Sequence, residues 1–475
     1  MCGAKEKNMS VKNTRYGADG IARLLDSKKN IFFIGIGGIS MSSLAHISHE
    51  NGYRVGGSDK SESALTKMLE EEGISISYGH DSKNIEGYDL VVYTVAISED
   101  NPEYTAAKAK GIAAVSRADY LGYIMHRYKN RIGISGAHGK STCTSMLAHT
   151  FIHAKKDPTV VSGAVLDEMS GAYRVGGDEH FIFEACEYMD NFLSFYPSIA
   201  VILNVEYDHS DYFSDISQTY SSFSSFAALT KQAQGGVCVY NKDDEKTNIS
   251  VQKCGAELVS FGIESNADYT AKNISYIDGH AHFDIYKGAE KQARVNLTVA
   301  GRHNIYNALA AFAVCDLCGL EPELAAEGIG GFSGCRRRME YKGEVCGARM
   351  YEDYAHHPTE LRASIASARD FSKKRVVTVF QPHTYSRTAE LYDDFVSALS
   401  DSDFVIMADI YSARETNTYG VSSDRIARDI GDKAVFIDSF EGICEYIRAN
   451  VGAESVLLIM GAGDIYKVSD MLIGK

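Results

Sequence analysis

Arg131-Ile-Gly133-Ile-Ser-Gly136-Ala137-His138-Gly139-Lys140-Ser141-Thr142 is the stretch that decides the fold. An apolar, strand-like run ends in closely spaced glycines, and Gly-Lys-Ser then opens a helix-like segment. Glycines let the backbone turn sharply and aim its N–H groups at an anion, while a helix start supplies further free donors. Lysine at this point meets the β- and γ-phosphates of a nucleotide, and the serine hydroxyl reaches Mg²⁺. The usual phosphate-loop spacing places glycine at 134. This chain has Ile134 there, with glycines at 133 and 136, so the loop reads as a variant, Gly-x-x-Gly-x-x-Gly-Lys-Ser.

The same rhythm extends outward in both directions. Asn30-Ile-Phe-Phe-Ile-Gly, Tyr53-Arg-Val-Gly-Gly-Ser-Asp and Asp89-Leu-Val-Val-Tyr-Thr read as strands, with helical stretches from Met41 to Asn51 and from Ser63 to Gly73 between them. Phe181-Ile-Phe-Glu and Ile199-Ala-Val-Ile-Leu-Asn follow the loop. Arg375-Val-Val-Thr-Val-Phe, Asp403-Phe-Val-Ile-Met-Ala and Ser455-Val-Leu-Leu-Ile-Met form a third series. Strands alternating with helices imply parallel sheets covered on both faces. The stretch from about 236 to 300 differs: alternating runs such as Ala281-His-Phe-Asp-Ile-Tyr suggest an antiparallel appendage. The expectation is an α/β chain of three domains. Residues 1–127 form a Rossmann-like domain, 128–334 a central phosphate-loop ATPase-like parallel sheet with the appendage, and 335–475 a second Rossmann-like domain.

Two further features carry chemistry. Gly35-Ile-Gly37-Gly38-Ile-Ser40-Met41 follows a strand and opens a helix, which suits a nucleotide diphosphate. Asp59 ends the next strand, 22 residues after Gly37, where a ribose-binding carboxylate would sit. The nicotinamide fingerprint wants glycine where Ser40 stands, so an NAD-dependent oxidoreductase is only a remote alternative. Glu184 ends one strand of the central series, and Asp208-His209 follow another. Open α/β sheets place ligands at such carboxyl ends, so Ser141, Glu184 and His209 are the candidate Mg²⁺ ligands.

Composition narrows the classes. Of 475 residues, 48 are Lys or Arg and 63 are Asp or Glu, giving a net charge of −15. That argues against a polyanion-binding surface, hence against a nucleic-acid partner. Ten cysteines spread from Cys2 to Cys444 form no dense framework, and Cys315 and Cys318 read as packed thiols on one helix. The polar first twenty residues carry no leader-like run, and no apolar run reaches the ~18 residues that span a bilayer. A cytoplasmic protein without a membrane partner is expected, as a monomer or weak homodimer.

At this point the chain resembles the Mur ligase family, over nearly its whole length and in order. The resemblance rests on Gly35-Ile-Gly-Gly-Ile-Ser-Met, Asn101-Pro-Glu, Gly136-Ala-His-Gly-Lys-Ser, Glu184-Ala-Cys-Glu-Tyr-Met-Asp and Asn204-Val-Glu-Tyr-Asp-His. It continues through Gly301-Arg-His-Asn304, Gly334-Cys-Arg-Arg-Arg338, Asp353-Tyr-Ala-His-His-Pro-Thr-Glu360 and Gln381-Pro-His-Thr-Tyr-Ser-Arg387. Departures are Ser40 for glycine, small changes at Ala137 and Ser141, Cys186 for an acid, and Thr384 where many members carry arginine.

The resemblance implies an ATP- and Mg²⁺-dependent ligase that joins L-alanine to the carboxylate of UDP-N-acetylmuramate through an acyl phosphate, in peptidoglycan precursor synthesis. A recycling ligase that adds a tripeptide to the same sugar is the alternative. UDP-sugar binding falls to Gly35, Gly37, Gly38, Ser40, Met41 and Asp59. ATP binding falls to Gly136, Ala137, His138, Gly139, Lys140, Ser141 and Thr142, with Asn304 on the nucleotide and Asp353 on ribose. Lys140, Glu184, His209, Arg337 and Arg338 are the catalytic candidates, and Tyr354, His356 and Arg387 place the amino acid. Three domains that meet around one reaction imply closure from an open unliganded form.

Overall fold

A computed structural model describes residues 11–26, 30–169, 171–209, 212–372, 374–413 and 415–474. The chain is α/β and builds three sheets, as the rhythm of the sequence requires. The first is wholly parallel. Its spatial order is Ser75–Tyr78, Arg54–Asp59, Asn30–Ile34, Leu90–Tyr93, Ala113–Ser116. The order reverses direction at Asn30–Ile34, and the Gly35 turn leaves the sheet at that switch point, where ligands bind in such sheets.

The central sheet has ten strands. Asn130–Ser135 lies in its middle, paired in parallel with His180–Glu184 on one side and Ile199–Ile202 on the other. The strand order therefore brings the ends of two distant segments to either side of the phosphate loop. Beyond Ile199–Ile202 the strands Val237–Asn241 and Glu257–Gly262 continue the parallel sheet. The antiparallel part is shorter than the 236–300 expected from the pattern. It starts at Tyr269–Ile277, pairing with His280–Lys287 and then Glu290–Ala300. A helix, Glu245–Val251, intervenes between the two parallel strands, and so short a connection left little periodicity to read.

The third sheet runs Glu340–Val345, Ala348–Asp353, Ser455–Met460, Arg375–Phe380, Phe404–Met407, Ala434–Phe436. Only its edge hairpin is antiparallel. The sheet's carboxyl ends, including Asp353 and the loop after Phe380, face the phosphate loop. The third domain is seated on that loop, and charged side chains of opposite sign meet across the seam.

The nine described cysteines are free thiols, and Cys2 lies outside the described residues. Among the described residues no helix is long and apolar enough to cross a membrane.

Candidate active site

The loop's shape follows from three side chains and one glycine. Gly139 caps the helix Lys140–His153 at φ +82°, and a Cβ there would stand 2.9 Å from Asn307 Oδ1. Asn204, at the end of the neighbouring strand, staples the loop from both sides. Its Oδ1 accepts from His138 N at 2.8 Å, and its Nδ2 donates to His138 O at 3.0 Å. Lys140 is folded over the loop, donating to Gly136 O at 2.5 Å and Ala137 O at 3.1 Å. Its Nζ also lies 3.1 Å from Glu187 Oε2. Burial disfavours that ammonium, but Glu187 outweighs burial and raises the group above its usual range, so it stays charged. Ser141 Oγ donates to Glu184 Oε2 at 2.9 Å, and Gly163 N donates to the same oxygen at 2.9 Å.

Beside the loop lies a cavity of about 1090 Å³. His138, Gly139, Thr142, Asn304, Arg338 and Asp353 are among the residues that line it. Asn304 is held by a bond to Ala300 O at 2.7 Å and by one from Asn307 Nδ2 at 2.9 Å. Asp353 accepts from Ser364 Oγ at 2.9 Å and Ala355 N at 3.0 Å. Burial, opposed by Arg338, pushes its carboxyl up to about 6.

The two neighbouring arginines part company. Arg338 faces the cavity, 3.8 Å from Glu360 and over the ring of Tyr354. Arg337, with φ +59°, turns into the third domain instead. It donates to Gly461 O at 2.8 Å and Gly463 O at 3.2 Å, and its Nε lies 3.0 Å from Glu352. Of the two catalytic candidates, Arg338 therefore faces the cavity, while Arg337 contacts the third domain's own backbone and Glu352.

Tyr354, His356 and Arg387 do come together, through His383. The His356 ring stands edge-on to Tyr354 and to His383, with centroids 5.5 and 6.0 Å away. Arg387 Nη1 lies 3.4 Å from His383 Nδ1. Burial lowers both imidazoles to about 4, helped by the Arg387 charge, so both are neutral. Arg387 also reaches the central sheet, donating to Asp208 Oδ1 from Nη2 at 2.9 Å and from Nε at 3.3 Å. The next residue, His209, lies 3.8 Å from Glu187, the partner of Lys140. An unbroken file of charged and polar groups thus runs from the phosphate loop to the amino-acid candidates.

The N-terminal turn stands apart, and none of residues 35–41 lines the cavity. Gly35 N and Ile36 N donate to Ser58 O at 2.8 and 2.9 Å, and Gly37 N donates to Asp59 Oδ2 at 2.9 Å. Asp59 holds the turn in shape. Ser40 Oγ accepts from Arg117 Nη1 at 2.9 Å, while Met41 is 2% exposed in the apolar core.

Glu187, Asn204, Glu206 and Glu360 fall inside the family-like strings with no role assigned to them there, and Asp208, read only as a strand-end carboxylate, is the partner of Arg387. Glu206 and Glu360 flank His138. His138 Nε2 lies 2.6 Å from Glu206 Oε2, and Nδ1 lies 3.1 Å from Glu360 Oε1. His138, Glu206 and His357 present donor atoms within 4.8 Å of one another. The 2.6 Å contact to Glu206 is that of an imidazolium on a carboxylate, with Glu360 at ion-pair distance on the other side, so the group reads as an ion-pair cluster rather than a metal site. The fit for a nucleotide and Mg²⁺ rests instead on the glycine cradle, the buried Lys140, and the Ser141–Glu184 pair with His209 nearby.

Comparison with known proteins agrees along nearly the whole chain. Three family models match: Mur ligase family, catalytic domain, over residues 30–129; Mur ligase middle domain, over 134–315; and Mur ligase, glutamate ligase domain, over 337–463. UDP-N-acetylmuramate–L-alanine ligase of Clostridium novyi (strain NT) is 44% identical over 453 residues, 95% of this chain and 98% of that protein. The ligase of the same name from Caldanaerobacter subterraneus is 44% identical over 453 residues, 94% and 98% of the two chains. Among solved structures, UDP-N-acetylmuramate–alanine ligase of Thermotoga maritima superposes with a TM-score of 0.78 at 28% identity, covering 94% of this chain and 98% of that one. A murein peptide ligase of Psychrobacter arcticus, with a TM-score of 0.70 at 21% identity over 94% and 98% of the two chains, shares the fold.

Proposed function

Because the chain belongs to the Mur ligase family, we propose that it joins L-alanine to the carboxylate of UDP-N-acetylmuramate at the expense of ATP, making a peptidoglycan precursor. The observation that carries this reading is the file Lys140–Glu187–His209–Asp208–Arg387, which sets a phosphate-gripping loop beside a guanidinium fork. Residues 1–127 hold the UDP sugar, 128–334 hold ATP, and 335–475 bring the amino acid.

A carboxylate is a poor electrophile, since an amine cannot expel oxide. Transfer of the γ-phosphoryl group to it gives an acyl phosphate. The amine then attacks the carbonyl carbon, and phosphate leaves with the C–O electron pair. Each step gathers negative charge, and preformed cations stabilise it without reorganisation. Lys140 supplies one such charge at the β- and γ-phosphates, and Arg338 supplies another from the cavity wall. Mg²⁺, held by Ser141, Glu184 and His209, would supply further positive charge against the phosphate oxygens.

Asn304 and Asp353 line the nucleotide cavity, Asp353 toward ribose. Arg387 offers a carboxylate two parallel N–H donors, and Asp208 keeps the guanidinium aimed. His356 and His383, being neutral, put no second positive charge beside the incoming amine. Gly35, Gly37, Gly38 and Ser40 shape the diphosphate turn, and Asp59 acts on that turn.

The experiment is phosphate release with ATP, Mg²⁺ and UDP-N-acetylmuramate, adding L-alanine, glycine, L-serine or the tripeptide in parallel. Release strictly dependent on L-alanine is expected. Release with the tripeptide alone would make the chain a recycling ligase, and no release with any of them would overturn the assignment.

A further inference from the structure

We propose that His138 and Glu360 are positioning residues: the His138 imidazolium, gripped by Glu206 of the central sheet and Glu360 of the third domain, latches the amino-acid-binding segment onto the phosphate loop. The inference rests on the ligase reading for its meaning but not for its test.

His138 is fixed to the loop backbone, because Asn204 holds both its N–H and its carbonyl. Its side chain therefore reports the position of the loop. Glu360 is fixed to the other partner. Its Oε2 accepts from His356 N at 3.0 Å and His357 N at 3.3 Å, within the capping box of the helix Pro358–Phe371. The segment that carries Tyr354 and His356 thus hangs on the same carboxylate that touches the phosphate loop. Thr359 Oγ1 adds a bond to Glu206 Oε1 at 3.1 Å across the seam.

The charges balance only with His138 protonated. Facing His138 are Glu206, Glu360 and His357. Facing Glu360 are also His356 and Arg338, with Asp353 farther off; Asp208 lies near His357. Burial keeps His356 and His357 neutral. That leaves two carboxylates against His138⁺ and Arg338⁺. Without the proton, Glu206 and Glu360 would face each other with one cation, and that to one side.

Burial opposes the His138 charge, but the two glutamates outweigh it and raise the imidazole to about 9. The imidazolium state, and with it the latch, is present below that value and is lost as pH rises through it.

Glu360→Gln tests this. Glutamine at the third helical position preserves the capping box, so the fold is kept while one of the two carboxylate charges is removed. His138 should then lose its proton at lower pH. The ratio of kcat/KM for the amino acid, variant over parent, cancels the ionisation of the amine itself. It should fall between about pH 7 and 8.5 to below about a tenth, while KM for ATP changes less than about threefold. His138→Gln should raise KM for the amino acid at all pH values and abolish the pH dependence of that ratio.

A constant Glu360→Gln ratio across the range, or a parental amino-acid KM in His138→Gln, would overturn the latch. Small-angle scattering with an ATP analogue and the UDP sugar needs no turnover. The parent should expand on passing from about pH 7 to 9.5, and Glu360→Gln should expand at lower pH. Identical scattering profiles would defeat the latch. A shifted profile in a chain that makes no product would defeat the ligase reading alone.

Discussion

The two seams of the molecule are built from different materials. Between the first and central domains runs one continuous apolar cluster. Ile21, Leu121 and Ile124 share it with Phe181, Phe183 and Phe192 of the central domain. His126 packs on Tyr196 with ring centroids 4.3 Å apart. Gly122 lets the helix Arg117–Met125 approach so closely that a Cβ would stand 2.2 Å from Ser194 O. Between the central and third domains the material is polar. The apolar clusters of the third domain contain only residues from Met339 onward. Among the contacts that cross that seam are His138 with Glu360, Thr359 with Glu206, Arg387 with Asp208, and Arg336 with Asp167. Apolar burial is lost outright when a seam opens, whereas ion pairs exchange their partners for water at little net cost. The third domain is therefore the one built to move, and the groups that let it move are the groups of the active site.

The strongest way to break this contrast is Arg387→Ala. The substitution removes the fork that grips the amino acid's carboxylate, while Asp208, at a seam that can open, regains water. kcat/KM for L-alanine should fall about 10²–10³-fold, equivalent to ~3–4 kcal/mol of lost transition-state binding. Arg387→Lys keeps the charge but loses the fork and should recover little of that. Thermal unfolding should hardly move, because the pair lies outside every apolar cluster. A melting temperature lowered as far as by a core cavity would show that the polar seam is structural after all.

The opposite result is expected from Gly122→Ala. The new methyl group must displace the Ser194 backbone, and overpacking of this kind costs about 1–3 kcal/mol. Calorimetry should show the loss of stability, while KM for L-alanine, measured well below the transition, should stay within about twofold of the parent. A large rise in that KM would mean that the apolar seam also moves during turnover.

How far the sequence reveals this arrangement depends on whether the signal is local. The phosphate loop is legible because strand, glycines, lysine and helix are contiguous. Asp353 through Glu360 is legible as a string. The partners of the loop are less so. Glu184 and Asn204 flank it only because Asn130–Ser135 lies between His180–Glu184 and Ile199–Ile202 in the sheet, an order that no short segment specifies. Glu206 and Glu360 find His138 from separate domains. Adjacent Arg337 and Arg338 look alike in sequence, and the positive φ of Arg337 turns one toward Gly461 and Glu352 of the third domain while the other lines the cavity. Asp59 has the spacing of a ribose ligand, and its carboxylate also accepts from Gly37 N, a contact within the turn that the spacing alone does not reveal.

Salt gives the smallest effect and the sharpest comparison within the polar seam itself. Raising KCl from about 0.1 to 0.5 M shortens the screening length from ~10 Å to ~4 Å, which weakens exposed pairs far more than buried ones. Arg336 and Asp167 are 61% and 78% exposed in their side chains, so this pair should be silenced by salt. Arg387 with Asp208, and His138 with Glu360, are mostly shielded from the ions. KM for L-alanine should therefore rise only about two- to threefold, and Arg336→Ala should reproduce more than half of that rise on a logarithmic scale. A tenfold rise would mean that the shielded pairs open to solvent in each cycle before the amino acid binds, making the seam's resting state looser than its distances suggest. No rise at all would leave the buried pairs as the sole grip between the domains. The melting temperature decides which part of the molecule the salt has touched, because the seam between the first and central domains is held mainly by apolar burial, which added salt does not screen.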